Sequence, residues 1–191
     1  MFGDIALFLL NVVFTLFGAA LVLRTWVQAI RLPPYNPISQ ALFQFTDWLV
    51  RPLRRVVPGW RGIDWAPLLG AWLAAILYLV LMFTLYGADP RSLFPGVLLA
   101  ALLTVAKWAV NLLLWTTIIL ALMSWLSPGA PAMMLLDALV SPLLRPIRRV
   151  LPTMGGFDLS PLVLVVLAQL VLIVLTRLTM MALGAPIALG A

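Results

Sequence analysis

Arginine and proline recur at one fixed spacing in two parts of the sequence. The shared pattern is R-P-x-R-R-V-x-P-x-x-x-G-x-D-x-x-P-L, and it begins at Arg51 and again at Arg145. Guanidinium groups bind phosphate and carboxylate oxygens through charge-assisted hydrogen bonds. The spacing therefore predicts a site for an anionic lipid headgroup or for a carboxylate of a partner protein. Its candidate residues are Arg51, Arg54, Arg55, Arg145, Arg148 and Arg149.

A second interpretation of these arginines is open. Membrane proteins keep Lys and Arg in their cytoplasmic loops to fix orientation, and such residues also make general contacts with lipid. Charge alone would suffice for that purpose. The shared spacing of three arginines and two prolines is what favours a defined anion or partner site.

The other shared residues of the motif have structural roles. Proline fixes one backbone dihedral, and an aspartate just before a helix accepts backbone N–H groups as a cap. Pairing of the same aspartate with an arginine of the motif is the alternative, and the two roles are compatible. These structural residues are Pro52, Pro58, Gly62, Asp64, Pro67, Pro146, Pro152, Gly156, Asp158 and Pro161.

The motif belongs to a longer internal repeat. Residues 34–68 align without a gap on residues 128–162, and the identities include prolines and arginines that a shared apolar bias does not explain. Duplication of one unit explains them.

The composition indicates that these units lie in a membrane. Hydrophobic residues make up 64% of the 191 residues and charged residues only 9%, whereas soluble domains are about one quarter charged. A spanning helix needs roughly 20 mainly apolar residues, and four stretches qualify, at 5–23, 65–88, 97–126 and 159–183. The first stretch lacks the basic flank and cleavage pattern of a secretory signal, so we expect it to be retained.

The predicted fold is an all-α membrane protein with four transmembrane helices. They form two tandem, same-orientation repeats of the form helix, interfacial helix, Arg loop, helix. In the first repeat, residues 1–90, spanning helices are predicted at 5–29 and 66–87 and an interfacial helix at 38–50. In the second repeat, residues 91–191, spanning helices are predicted at 97–126 and 160–183 and an interfacial helix at 132–144.

Helical periodicity supports an interfacial helix in the first repeat. One predicted stripe is apolar and the opposite one polar, as for a helix lying at a membrane surface. The apolar stripe consists of Ile38, Ala41, Leu42, Phe45 and Leu49, and the polar one of Ser39, Gln40, Gln44 and Asp47.

Basic residues also predict the orientation. Nine of the twelve lie on the side of the repeated motifs and three towards the other side. By the positive-inside rule the Arg loops are cytoplasmic and both termini periplasmic or external, in a multi-pass protein of a bacterial inner membrane. This distribution also accounts for the net charge of +6, so no nucleic-acid partner is expected.

A few polar residues fall within the predicted spans. Arg24, Lys107 and Arg177 lie near span ends, where we expect them to reach the interface as anchors rather than to form an ion relay. Asn11, Asn111 and Gln169 are expected to make interhelical hydrogen bonds, although they could line a cavity in an oligomer.

Catalytic chemistry has little basis in the sequence. Cysteine, histidine and glutamate are absent, which excludes thiolate nucleophiles, imidazole acid–base catalysis and zinc sites built on Cys or His. No phosphate-binding glycine loop is present either. The sequence predicts no enzyme, no metal site and no cofactor.

The duplicated segment resembles a known family. The run S-P-L-L-R-P-I-R-R-V-L-P at residues 141–152, followed by G-G-F-D-L-S-P-L at 155–162, resembles the YggT family of small membrane proteins, and the resemblance covers essentially the whole chain. It implies the two-unit, four-helix layout of bacterial members. It also implies loose links to osmotic-stress tolerance and potassium uptake, and, for relatives in other lineages, to division and complex assembly.

Two functional hypotheses follow. The first is a non-enzymatic factor in envelope organisation, division or membrane-complex assembly, whose partners are the lipid bilayer, anionic lipid headgroups and other membrane proteins or a homo-oligomer. The alternative is a potassium-transport component active in osmotic adaptation.

Overall fold

The described part of the chain is built of helices joined by short turns. The computed structural model describes residues 2–31, 37–57, 59, 64–87, 89–127, 130–150 and 158–184. These residues contain no strand, and a short 3-10 helix runs over Pro90–Leu93. The α-helices are α1 (Phe2–Ala29), α2 (Pro37–Leu53), α3 (Ala66–Leu85), α4 (Gly96–Leu126), α5 (Pro131–Val150) and α6 (Ser160–Ala182).

Four of these helices are long and apolar enough to cross a membrane. The segments lie in α1, α3, α4 and α6, are 20 to 29 residues long and have mean hydropathies of 2.1 to 2.5. A rise of 1.5 Å per residue lets each cover a hydrocarbon core of about 30 Å. The predicted all-α fold with four candidate spans is confirmed, and the chain is a multi-pass membrane protein.

Contacts group the chain into two compact units. Unit 1 comprises Met1–Ala109 and Val174–Ala191, and unit 2 comprises Val110–Ile173. In unit 1, α1 packs against α3, and α2 packs against both of these helices. Unit 2 contains the second half of α4, all of α5 and the first half of α6. The division into tandem repeats at residue 90 stays a prediction.

Small residues allow close packing inside unit 1. Trp108 is buried, and its indole lies where a side chain at Gly18 would have to go. The ring of Tyr78 also packs on Trp108, with 6.2 Å between the ring centroids. Gly96 likewise leaves room for the backbone carbonyl of Ala182. Glycine permits such approaches because it has no Cβ.

Helix α2 has three faces, whereas the sequence predicted two. Thr46 and Val50 are fully buried, and Phe45 and Trp48 are large apolar side chains that remain exposed. The remaining face is polar and largely exposed. Ser39, predicted on the polar stripe, is only 1% exposed and lies on the buried face. The prediction for Ser39 was wrong because periodicity groups residues by polarity, whereas burial depends on which face packs against α1 and α3.

Both amphipathic helices extend further than predicted. Helix α2 ends at Leu53 rather than at 50, and α5 runs to Val150 rather than to 144. Pro146 lies inside α5, as does Pro142, and both are exposed. The second motif therefore has its arginines on a helix and not in a loop, which corrects the predicted helix–loop arrangement.

The packing at Gly18 gives a first testable prediction. Replacing Gly18 by Leu forces the new side chain into the indole of Trp108, and overpacking of this kind costs about 1–3 kcal/mol. We expect a lower midpoint of thermal unfolding for the detergent-solubilised variant. Gly3→Leu is the matched control in the same helix, because nothing lies within 4 Å of a Cβ at Gly3. Equal midpoints for the two variants would contradict the packing described.

Candidate anion-binding site

Each arginine motif is joined to the spanning helix that follows it by one ion pair. In unit 1, Arg54 Nε donates to Asp64 Oδ2 at 2.6 Å. In unit 2, Arg148 Nε donates to Asp158 Oδ2 at 2.8 Å. The two arginines and the two aspartates occupy equivalent positions of the repeat. The motif is thus held in the same way in both copies.

The second oxygen of each aspartate binds the start of the helix. Asp64 Oδ1 accepts the backbone N–H of Ala66 at 3.1 Å, and Asp158 Oδ1 accepts that of Ser160 at 2.9 Å. In the first copy the N-cap residue is Trp65, so the aspartate lies one residue before the expected cap position. Both roles left open by the sequence, binding of helix N–H groups and pairing with a motif arginine, are present together.

Electrostatics favour the ionised form of Asp158. Burial acts to raise the pKa of this carboxyl group. Hydrogen bonds from the hydroxyl and backbone N–H of Ser160, together with the hydrogen bond and charge of Arg148, outweigh burial and leave the pKa below its ordinary value. The carboxylate is therefore charged at neutral pH and remains available to both of its partners.

The proline positions differ in their surroundings. Pro52 and Pro146 are exposed within α2 and α5. Pro67 is buried and Pro161 is half-buried, each at the second residue of its helix, where the missing N–H is not needed. Four predicted motif residues lie outside the described residues, namely Pro58, Gly62, Pro152 and Gly156.

Three motif arginines are exposed and lack an acidic partner in the described part of the chain. Arg145 and Arg149 lie four residues apart on α5 and so share one face of that helix. Arg55 lies in the turn after α2. Guanidiniums without a carboxylate partner keep their donors for an external anion. These three residues are referred to below as the free arginines.

The remaining arginine, Arg51, belongs to a cluster that the sequence did not predict. Arg24 in α1 is 1% exposed, and its Nη1 donates to Thr46 Oγ1 at 2.6 Å and pairs with Asp47 Oδ1 at 2.8 Å. Phe43 covers the guanidinium, 4.7 Å from the ring centre. The other oxygen of Asp47 pairs with Arg51 Nη2 at 2.9 Å. The cluster fastens α2 to α1.

Asp47 lies between two cations in this cluster. Burial acts to raise the pKa of its carboxyl group, but the hydrogen bond and charge of Arg24, followed by the charge of Arg51, outweigh burial and lower the pKa. Arg51 is 76% exposed at its side chain, so only part of its charge is used inside the cluster. Within the cluster, the guanidinium of Arg24 is buried and that of Arg51 is accessible from outside.

Arg24 was expected to reach the interface as an anchor, but its guanidinium is buried and paired with Asp47 of α2. One sequence signal could have identified its partner. At the repeat positions equivalent to Arg24 and Asp47 the second copy has Ile118 and Ser141. Both charges are thus absent together from the second copy, as expected for two residues that form one pair.

Polar residues in the spans show one of the expected contacts. Tyr78 in α3 donates its hydroxyl to Asn11 Oδ1 at 3.1 Å, which is an interhelical hydrogen bond within unit 1. Thr15 also donates to this oxygen, at 3.3 Å. Gln169 and Arg177 are exposed on α6, and Lys107 is partly buried in α4.

Comparison with known proteins identifies the family of this chain. A family model described as CCB3/YggT matches residues 3–85 and 99–179, consistent with two repeats. YggT of Escherichia coli strain K12 is 40% identical over 161 residues, which cover 84% of this chain and 83% of that protein. A Vibrio alginolyticus protein of the proC 3′ region is 37% identical over 160 residues, 83% of this chain and 86% of that protein. Both relatives are named uncharacterized, and no solved structure matches the chain.

The buried ion pair gives the prediction of this subsection. Asp47→Asn leaves Arg24 buried without a counter-charge, and removal of one partner of a buried pair costs about 3–5 kcal/mol. We expect a large fall in the thermal unfolding midpoint of the solubilised protein, and partial recovery in the double variant R24M/D47L. Asp137→Asn is the control, because this half-buried aspartate of α5 has no ion pair in the described residues. A D47N midpoint equal to that of D137N would refute the role assigned to the cluster.

Proposed function

The chain belongs to the CCB3/YggT family, and from this premise we propose that it is a non-enzymatic protein of a bacterial inner membrane whose arginine motifs bind anionic lipid headgroups or a partner protein. The motifs act on the cytoplasmic side. The role is one of organisation or assembly, in the envelope, in division or in the biogenesis of a membrane complex.

The free arginines are the observation that supports this proposal. Arg145 and Arg149 project from α5, a helix whose opposite face is fixed by the buried side chains of Leu139, Val140 and Leu144. Their charge is therefore presented at a fixed place and is not neutralised within the described part of the chain. Each Arg near an anionic membrane surface contributes about 1 kcal/mol of attraction.

Ordered arginines favour this proposal over a purely topological role. A topology signal depends on the number of basic residues near a span. In both copies, however, the carboxylate of Asp64 or Asp158 fixes the guanidinium of Arg54 or Arg148 relative to the following helix. Recognition of a ligand requires cations in a fixed arrangement, whereas a topology signal depends only on the number of basic residues.

Substitution of the free arginines tests the proposal. In the variant R55Q/R145Q/R149Q we expect roughly a hundredfold loss of affinity for phosphatidylglycerol, since three contributions of about 1 kcal/mol are removed. Native mass spectrometry of the purified protein measures the retained lipid, and crosslinking in native membranes measures partner capture. The unfolding midpoint should stay close to that of the unmodified protein because none of the three residues forms an ion pair within the described chain.

A charge-matched control separates binding at the motif from general attraction. R31Q/R91Q/R177Q removes three exposed arginines from outside the motifs. It should retain lipid and partners at the level of the unmodified protein. Equal behaviour of the two triple variants would argue against the proposed function.

Cysteine labelling tests the cytoplasmic placement. The chain has no cysteine, so single substitutions report without background. Val56 and Val150 occupy equivalent repeat positions after the arginines and are both strongly exposed. Ser92 in the 3-10 helix is also exposed. In intact spheroplasts a membrane-impermeant maleimide should label S92C and spare V56C and V150C. Labelling of V56C or V150C from outside would reverse the orientation.

A further inference from the structure

Unit 2 contains an apolar groove that ends beside the arginine motif. It has a volume of about 450 Å³ and lies between the second half of α4 and the first half of α6, within the usual range of about 300–1,000 Å³ for ligand pockets. Ile118 and Leu122 line it on α4, and Leu162 and Val166 line it on α6, while Asp158 lies at one end. Leu122, Leu162 and Val166 are about half exposed. The groove is therefore open along its side, between two helices that are apolar enough to span a bilayer.

The end of the groove carries an arginine with unused donors. Asp158 engages only Nε of Arg148, and within the described chain neither terminal nitrogen of Arg148 has a partner. In the first copy, by contrast, Asp64 is reached by both Nε and Nη2 of Arg54. Two adjacent terminal nitrogens suit two oxygens of a phosphate group. Arg145 lies one turn before Arg148 on α5 and adds a further cation to the same face.

The equivalent positions of the first copy are occupied differently. Val166 corresponds to Trp72, whose indole N–H donates to the backbone carbonyl of Leu98, so that α4 covers this face of α3. Ile118 corresponds to Arg24, which is engaged with α2. The second copy thus has smaller, purely apolar residues where the first copy has a covered surface. At these equivalent positions, an open groove is found in the second copy and not in the first.

We propose that this groove binds one anionic phospholipid, with an acyl chain along Ile118, Leu122 and Val166 and the phosphate on the terminal nitrogens of Arg148. The lipid covers the exposed side chains of α4 and α6 that line the groove. A second copy of the chain is a poorer occupant because its own free arginines would repel those already present. This inference rests on the proposed function and names its ligand.

Filling the groove tests the inference without changing any charge. V166W introduces the residue found at the equivalent position of the first copy, and L122W fills the opposite wall. L170W is the control on α6, since Leu170 is as exposed as Val166 but does not line the groove. Native mass spectrometry after exchange into mixed micelles of phosphatidylglycerol and phosphatidylcholine with identical chains measures which lipid each protein retains.

The expected result is one strongly retained phosphatidylglycerol in the unmodified protein and in L170W, and its loss in V166W and L122W. R148Q should retain lipid but lose the preference for phosphatidylglycerol over phosphatidylcholine. Unfolding midpoints near that of the unmodified protein show that each variant is folded.

Other outcomes separate this inference from the proposed function. If V166W and L122W retain phosphatidylglycerol while R55Q/R145Q/R149Q loses it, the groove assignment is wrong and the proposed function stands. If no variant loses lipid or partners, both are wrong. If the groove variants instead abolish a crosslinked dimer with lipid retention unchanged, the occupant is a second copy of the chain and the inference is overturned.

Discussion

The arrangement of the arginine motifs depends on two aspartates that use both carboxylate oxygens. A helix begins with N–H groups that have no partner within the helix, and at the start of α3 and α6 one such group is bound by Asp64 or Asp158. The remaining oxygen holds a guanidinium of the motif. One side chain thereby fixes the direction in which the chain enters a spanning helix and the place of a cation beside it. Neutralising the aspartate would release the helix start and the guanidinium at the same time.

The spans and this pair of aspartates could be predicted from the sequence because local rules determine them. About 20 apolar residues are needed to cross a bilayer, and few other structures require such a run. Asp64 and Asp158 lie just before a helix and ten residues after an arginine. Few groups are therefore close enough in sequence to bind these carboxylates. The length of α5 was harder to predict. The interfacial helix was predicted at 132–144, because proline fixes a backbone dihedral and lacks an N–H donor, whereas α5 continues through the exposed Pro146 to Val150.

The cluster of Arg24 could not be derived from periodicity. A hydrophobic pattern distinguishes apolar from polar faces, but in a bilayer it does not tell which apolar face meets protein and which meets lipid. Helix α2 places Thr46 and Asp47 towards α1. The rings of Phe45 and Trp48 also contact Phe17 of α1, yet they stay more than half exposed. The position of Asp47 opposite Arg24 depends on how two helices pack, and a local pattern contains no such information.

The difference between the two copies follows from the cost of an unpaired buried charge. A copy that had only one member of the pair would bury that charge without a partner, at a cost of several kcal/mol. Ile118 and Ser141 replace both, and α5 is fastened by apolar contacts instead. The same change removes the carboxylate that engages Arg51 in the first copy, so Arg145 is left without an acid one turn away. The absence of this ion pair leaves the second copy with both an apolar wall in its groove, through Ile118, and a cation beside it, Arg145, that has no acidic partner in the described residues. Apolar packing and external charge in this copy are thus two consequences of the same difference in sequence.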